Sequence, residues 1–150
     1  MKVQGQILLA AARGQVWDLL TDPAKLAKCL PGCEKLEAAG PDRYKVSVKF
    51  ALAAISGSYS GAVELSEKKQ PESLRIMLEG KGTPGFMKGE GRIRLTEKQG
   101  QTELRYEGEA QVGGMIAAVG QRMIDVAARR IIQQFFDAAA AQLRSSVPGA

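Results

Sequence analysis

Ile55-Ser56-Gly57-Ser58-Tyr59-Ser60-Gly61-Ala62-Val63-Glu64-Leu65 alternates throughout: one parity reads Ile, Gly, Tyr, Gly, Val, Leu, and the other carries three serines, an alanine and a glutamate. A period of two is the signature of a strand with one face on a core and the other in water. The pattern returns in Gly89, Gly91, Ile93, Leu95 and in Leu104, Tyr106, Gly108, Ala110, Val112. Between them stand Glu90, Arg92, Arg94 and Glu103, Arg105, Glu107, Glu109, the mix of signs expected of a solvated sheet face with cross-strand ion pairs. Glycine is the unexpected inward residue. It costs backbone entropy in a strand and packs nothing, so Gly57, Gly61, Gly91 and Gly108 point to a bend, a bulge or space left for something else.

Working outward from this stretch, Tyr44, Val46, Val48, Phe50 and Leu52 alternate with Lys45, Ser47 and Lys49, and strands are expected near 33–38, 42–52, 54–67, 73–80, 88–98 and 102–112. Turn signals at Gly40-Pro41-Asp42, Gln70-Pro71-Glu72 and Gln99-Gly100-Gln101 make them antiparallel hairpins. Val3 to Leu9 reads as a first strand. It leads into a short helix, Ala12 to Leu20, which contains Trp17. A second helix follows to about Cys29, with Thr21 or Asp22 as cap and Pro23 in its first turn, and Pro31-Gly32 ends it. This order describes an α+β domain with one strongly curved antiparallel sheet of about seven strands and a terminal helix.

That helix is expected from about Met115 to Arg144, roughly 45 Å at 1.5 Å per residue. At 100° per residue, Ile116, Gly120, Met123, Ile124, Ala127, Ile131, Phe135 and Ala138 share one stripe, opposite Arg122, Asp125, Arg129 and Gln133. Its first half is small or flexible, with Gly113, Gly114, Met115, Ala117, Ala118, Gly120 and Met123, and faces a glycine-rich sheet. Two sparse surfaces leave a void, within which methionine adapts to variable shapes. The expected lining of that apolar cavity is Phe50, Leu52, Tyr59, Leu78, Ile93, Tyr106, Ile116, Val119, Met123 and Ala127, with Met115 a further ligand-binding residue of the helix and Phe86 and Met87 as a portal. Ile132, Phe136 and Leu143 fall toward the flank of the polar face, either under the first two helices or in a contact patch.

Composition narrows the chemistry. The 150 residues, 45% hydrophobic and 25% charged, fit one globular domain, and no apolar run approaches the roughly 20 residues of a membrane-spanning helix. Ile7 to Ala12 is too short for a secretory signal, which makes the cytoplasm the expected compartment. There is no histidine, so hydrolytic triads and zinc sites lose their usual base and ligand, and no metal site is expected. Cys29 and Cys33 flank Pro31-Gly32 and read as buried or half-buried free thiols. The net charge of +5 is dispersed, and without interleaved aromatics it does not describe a nucleic-acid surface.

Gly80-Lys81-Gly82-Thr83-Pro84-Gly85 matches the dinucleotide-binding pattern G-x-G-x-x-G. The residues after it, Phe86-Met87-Lys88-Gly89-Glu90-Gly91, read as a strand rather than a helix whose N-H groups could hold a pyrophosphate. The segment is therefore expected to be a mobile hairpin tip carrying Phe86 and Met87, serving as a lid, a hydrophobic finger or an ordinary turn.

Cys29-Leu30-Pro31-Gly32-Cys33-Glu34, the Gly57-x-Tyr59-x-Gly61 strand and Gly113-Gly114-Met115-Ile116-Ala117-Ala118-Val119-Gly120-Gln121-Arg122, continuing to Gln134-Phe135-Phe136, resemble the carbon monoxide dehydrogenase G-subunit family. The resemblance reaches to about Arg144. It implies the START-like, or SRPBCC, helix-grip fold over residues 1–146, with 147–150 as a short tail. It also implies a non-catalytic accessory protein of a molybdenum-containing carbon monoxide dehydrogenase or related oxidoreductase. Such a protein carries a respiratory quinone, with no covalent cofactor, and has peripheral contact with the inner face of the cell membrane. Family members engaged in membrane attachment often continue into a low-complexity tail with a terminal amphipathic segment, where this sequence reads Ser145-Ser146-Val147-Pro148-Gly149-Ala150. Two other readings stand beside the quinone carrier. One is an adaptor or assembly factor that recruits the enzyme without transporting a ligand. The other is a small cyclase- or aromatase-like enzyme relying on Tyr59, Tyr106 or an inward carboxylate of shifted pKa.

Overall fold

The computed structural model describes residues 1–51 and 55–145. Leu52, expected in a strand, and the start of the 54–67 segment lie outside the described residues, as does the tail 147–150. The chain runs β1 (Lys2–Leu9), α1 (Arg13–Thr21), α2 (Pro23–Cys29), β2 (Cys33–Ala38), β3 (Arg43–Phe50), β4 (Gly57–Lys69), β5 (Ser73–Gly82), β6 (Gly85–Lys98), β7 (Gln101–Gly113), a 3-10 helix (Met115–Val119) and α3 (Gln121–Ser145). The seven strands form one antiparallel sheet in the order β1-β7-β6-β5-β4-β3-β2, so β1 crosses to close the edge beside β7. Each hairpin turn expected from sequence joins paired strands.

Local chemistry explains the short helices. Asp22 caps α2 by accepting the Ala24 N-H at 2.9 Å, and Pro23 occupies the first turn, where its missing N-H costs nothing. In α1 the Gln15 side chain accepts the Ala12 N-H at 3.2 Å, and Val16, Trp17, Leu19 and Leu20 are buried. Buried Thr102 in β7 donates its hydroxyl to the Ala11 carbonyl at 2.7 Å, fastening the β1–α1 corner to the sheet. The Pro31-Gly32 turn is held against β3, where the Lys49 N-H donates to the Gly32 carbonyl at 2.8 Å.

All three helices lie on one face of the sheet, as the burial of a single parity in each strand shows. Leu9, Tyr44, Leu65, Leu74, Leu95 and Leu104 join Val16, Trp17, Leu19 and Leu20 of α1, Cys29 of α2, and Phe136, Ala139 and Leu143 of α3 in one cluster. Phe136 and Leu143 are thus covered rather than left as a contact patch, and Gln142 donates to the Lys25 carbonyl at 3.1 Å, tying α3 to α2.

The single helix expected from Met115 is in fact two elements. Gly120 sits at φ 95°, a left-handed conformation that ends the 3-10 helix and lets α3 start afresh at Gln121. The 3-10 turn advances about 120° per residue instead of 100°. The stripe drawn through Ile116, Gly120 and Met123 is therefore broken. Ile116, Ile124 and Ala127 are buried, but Met123 is 48% exposed.

Candidate functional site

Along the helix-facing parity, β1, β3, β5, β6 and β7 change character in the same direction, whereas β4 is buried at both Leu65 and Tyr59. In β3, Tyr44 is buried while Val46, Val48 and Phe50 are half-buried; in β5, Leu74 is buried while Ile76 and Leu78 are half-buried. In β6, Leu95 gives way to Ile93 and Met87, and in β7 Thr102 and Leu104 give way to Tyr106, Ala110 and Val112. In β1, buried Leu9 is followed outward by half-buried Ile7 and Val3. One end of the face is sealed by α1, α2 and the C-terminal half of α3, whereas the other is apolar and only partly covered. Half-covered apolar side chains on the helix-facing side of a sheet offer the kind of wall an apolar ligand uses.

The sequence-derived residues divide accordingly. Phe50, Tyr59, Leu78 and Met87 share the uncovered half; Val48 pairs directly with Tyr59, and the Phe50 and Tyr59 rings lie 5.6 Å apart, tilted by 51°. Ile116 and Ala127 are buried outside the main core cluster, as is Ile124. Ile93 and Tyr106 instead pack against that cluster, with the Tyr106 ring 5.4 Å from Phe136. Met115, Val119 and Met123 are 73%, 41% and 48% exposed and stand at the rim rather than among the buried side chains. Leu52 lies outside the described residues.

Phe86 and Met87 part company. Phe86 pairs with Gly113 on the outer face, 52% exposed, while Met87 points inward and is half-buried. The hairpin they share is fastened rather than free, because the Ile116 N-H donates to the Pro84 carbonyl at 2.8 Å. Gly80 to Gly85 leads into β6, with no helix to receive a phosphate.

The inward glycines serve the backbone rather than a hollow. A Cβ at Gly61 would collide with the carbonyl of Glu79, and one at Gly108 with that of Glu90. At Gly91 it would lie 3.0 Å from the Glu107 oxygen, and Gly57, at φ 141°, lies under Pro84. These are places where neighbouring strands approach closely, which corrects the expectation that larger side chains there would project into open space. Gly80 is different: its Cβ would meet only Met87 Cγ and the Ser60 oxygen, both at 3.8 Å.

Tyr59 donates its hydroxyl proton to the Ile55 carbonyl at 2.8 Å, and desolvation by burial pushes its pKa up. It is a neutral phenol whose proton is already engaged, which suits a wall better than a base. Among the described residues no three His, Cys, Asp or Glu side chains gather to hold a metal ion. Cys29 and Cys33 are free, one buried and one half-buried, and desolvation raises both thiol pKa values. Val48, the register partner of Tyr59, is absent from the sequence-derived lining. The Gly40-Pro41-Asp42 turn sets the β2–β3 pairing, and carrying the same parity across to β4 would have placed Val48 opposite Tyr59.

The same architecture is seen in solved structures. A START superfamily protein from Mycobacterium smegmatis superposes with a TM-score of 0.79 at 14% identity, covering 97% of this chain and 99% of that one. Protein CV1439 from Chromobacterium violaceum does so with a TM-score of 0.71 at 21% identity, covering 95% and 96%. A conserved protein from Geobacillus kaustophilus is nearer in sequence, 37% identical over 97% of each chain, with a TM-score of 0.94. No curated protein matches in sequence. Sheet, helices and partly open apolar face together define a START-like helix-grip protein. The family model for the G subunit of carbon monoxide dehydrogenase (CoxG) matches residues 5–144, and the chain belongs to that family.

Proposed function

We propose that this chain is a non-catalytic accessory protein that holds a quinone-like ligand in the uncovered half of its sheet and presents it to an oxidoreductase of the carbon monoxide dehydrogenase type. The observation that carries the reading is the gradient of burial shared by β1, β3, β5, β6 and β7, which leaves Val48, Phe50, Leu78 and Met87 half-covered around buried Tyr59. A quinone ring and isoprenoid tail need mainly dispersion and dehydration, both of which an apolar wall supplies. The absence of histidine and the engaged Tyr59 proton favour carrying over catalysis. Calorimetric titration with decylubiquinone, together with mass spectrometry of an organic extract of the purified protein, tests this. Saturable binding lost in Leu78→Trp supports it; no binding and an extract free of apolar ligand refute it.

The rim favours a membrane as the place of loading. Phe86, Met115 and Val119 expose apolar surface, and Lys81, the cross-strand partner of Phe86, lies with Lys88 on the same outer face. Exposed apolar side chains beside lysines favour the interface of anionic bilayers, against which Glu79, the cross-strand partner of Lys88, works. Sedimentation with phosphatidylglycerol vesicles should fall in Phe86→Ser/Met115→Ser and with rising salt. Unchanged sedimentation removes the membrane from the reading.

A further inference from the structure

A groove of about 750 Å³ runs between the edge strand β1 and the exposed flank of α3; it takes Val3, Ile7 and Tyr106 from the partly covered parity of β1 and β7 but none of Val48, Phe50, Leu78 or Met87. Its walls are Val3 and Ile7 of β1, Tyr106 of β7, and Ile132 and Phe136 of α3. All but Phe136 are half-buried, so the groove leaves apolar surface uncovered at the side of the molecule, on the β1 edge rather than in the half that holds Phe50, Tyr59 and Leu78. Its polar members are Lys2, Gln4, Gln6, Arg129 and Gln133, with no carboxylate among them. Gln133 gives its amide nitrogen to Asp137 at 2.9 Å, and Lys2 is loosely paired with Glu109 at 3.9 Å. Arg129 makes no ion pair or side-chain hydrogen bond among the described residues. A Cβ at Gly5 would strike the Tyr106 hydroxyl, so the glycine leaves room for that hydroxyl to lie over the edge strand beside the groove.

The geometry points to a second ligand site in this groove, for a single-chain amphipathic carboxylate: the chain lies on Ile7, Ile132, Tyr106 and Phe136, and the carboxylate takes charged hydrogen bonds from Arg129. An unpaired guanidinium above an apolar trough matches a ligand with one anionic end and one oily end. The volume falls within the usual range for one small molecule, about 300–1,000 Å³. A free acyl or aryl carboxylate is the proposed source, not a lipid in a bilayer.

The test uses the full chain and two probes of equal length, dodecanoate below its micelle threshold and dodecanol, titrated calorimetrically. Dodecanoate should bind about tenfold or more tightly than dodecanol, and Arg129→Gln should erase that preference. Ile132→Trp, which fills the trough, should weaken both probes while leaving decylubiquinone binding unchanged; if that variant does not fold, the Arg129→Gln comparison alone decides. Equal binding of the two probes to the wild-type chain overturns the proposal. So does an unaltered preference in Arg129→Gln, loss of dodecanoate in Leu78→Trp instead of Ile132→Trp, or binding of phosphatidylglycerol vesicles with none of free dodecanoate.

Discussion

Two glycines that face each other across β4 and β5 have opposite reasons to be glycine. Gly61 and Gly80 are register partners, yet a Cβ on Gly61 would strike the Glu79 carbonyl, while one on Gly80 would make ordinary contacts. Gly61→Ala should therefore destabilise the fold by about 1–3 kcal/mol or more, through forced movement of a neighbouring strand. Gly80→Ala should be neutral or stabilising by up to about 1 kcal/mol, because it restricts the unfolded chain. Urea denaturation of the pair checks both. Cysteine gives a second outcome at this scale. The folded chain holds the Cys29 thiol above its ordinary value of 9.0, so as pH rises past that value the unfolded chain loses the proton first and stability falls. Cys29→Ala should flatten that fall above about pH 8.5, where an exposed thiol begins to ionise, as read by denaturation midpoints. Parity identified the inward glycines correctly, but it could not say whether a neighbouring backbone or empty space lay above each one. That depends on strand approach in three dimensions.

Elements whose signals are local were legible throughout. Asp22-Pro23 placed the start of α2, the three turn sequences placed the hairpins, and alternation placed the strands within a few residues. Asp22→Ala should cost about 1 kcal/mol by freeing the Ala24 N-H, with α2 showing faster amide exchange than α1. Unchanged exchange in α2 would mean that its packing through Leu26 and Cys29, not the cap, sets its stability. The error lay at Gly113 to Gly120. Its apolar spacing is compatible with one continuous helix, and only the backbone reveals that Gly120 resets the phase. An unbroken helix would put Val119 and Met123 on an inner wall, whereas both stand exposed. Phe86 was separable from Met87 on parity alone, since successive strand residues face opposite sides.

For the molecule as a whole, the polarity of the core predicts that stability and binding reside at opposite ends of the same sheet. Leu104 is 1% exposed within the closed cluster, so Leu104→Ala removes packed atoms and leaves a cavity, costing about 2–5 kcal/mol. Leu78 is half-buried between Val63 and Gly89 and lies outside that cluster. Leu78→Trp therefore adds volume where side chains lack partners on one side, and it should change the melting temperature little while displacing decylubiquinone. The sequence reading reaches an incompletely filled interior by way of the inward glycines, whereas in the structure the half-covered surface belongs to Val, Leu and Phe side chains beyond the helices. The paired measurement separates these causes. If Leu78→Trp destabilised the protein as much as Leu104→Ala, the uncovered half would be as tightly packed as the core, and no ligand could be held there without displacing protein.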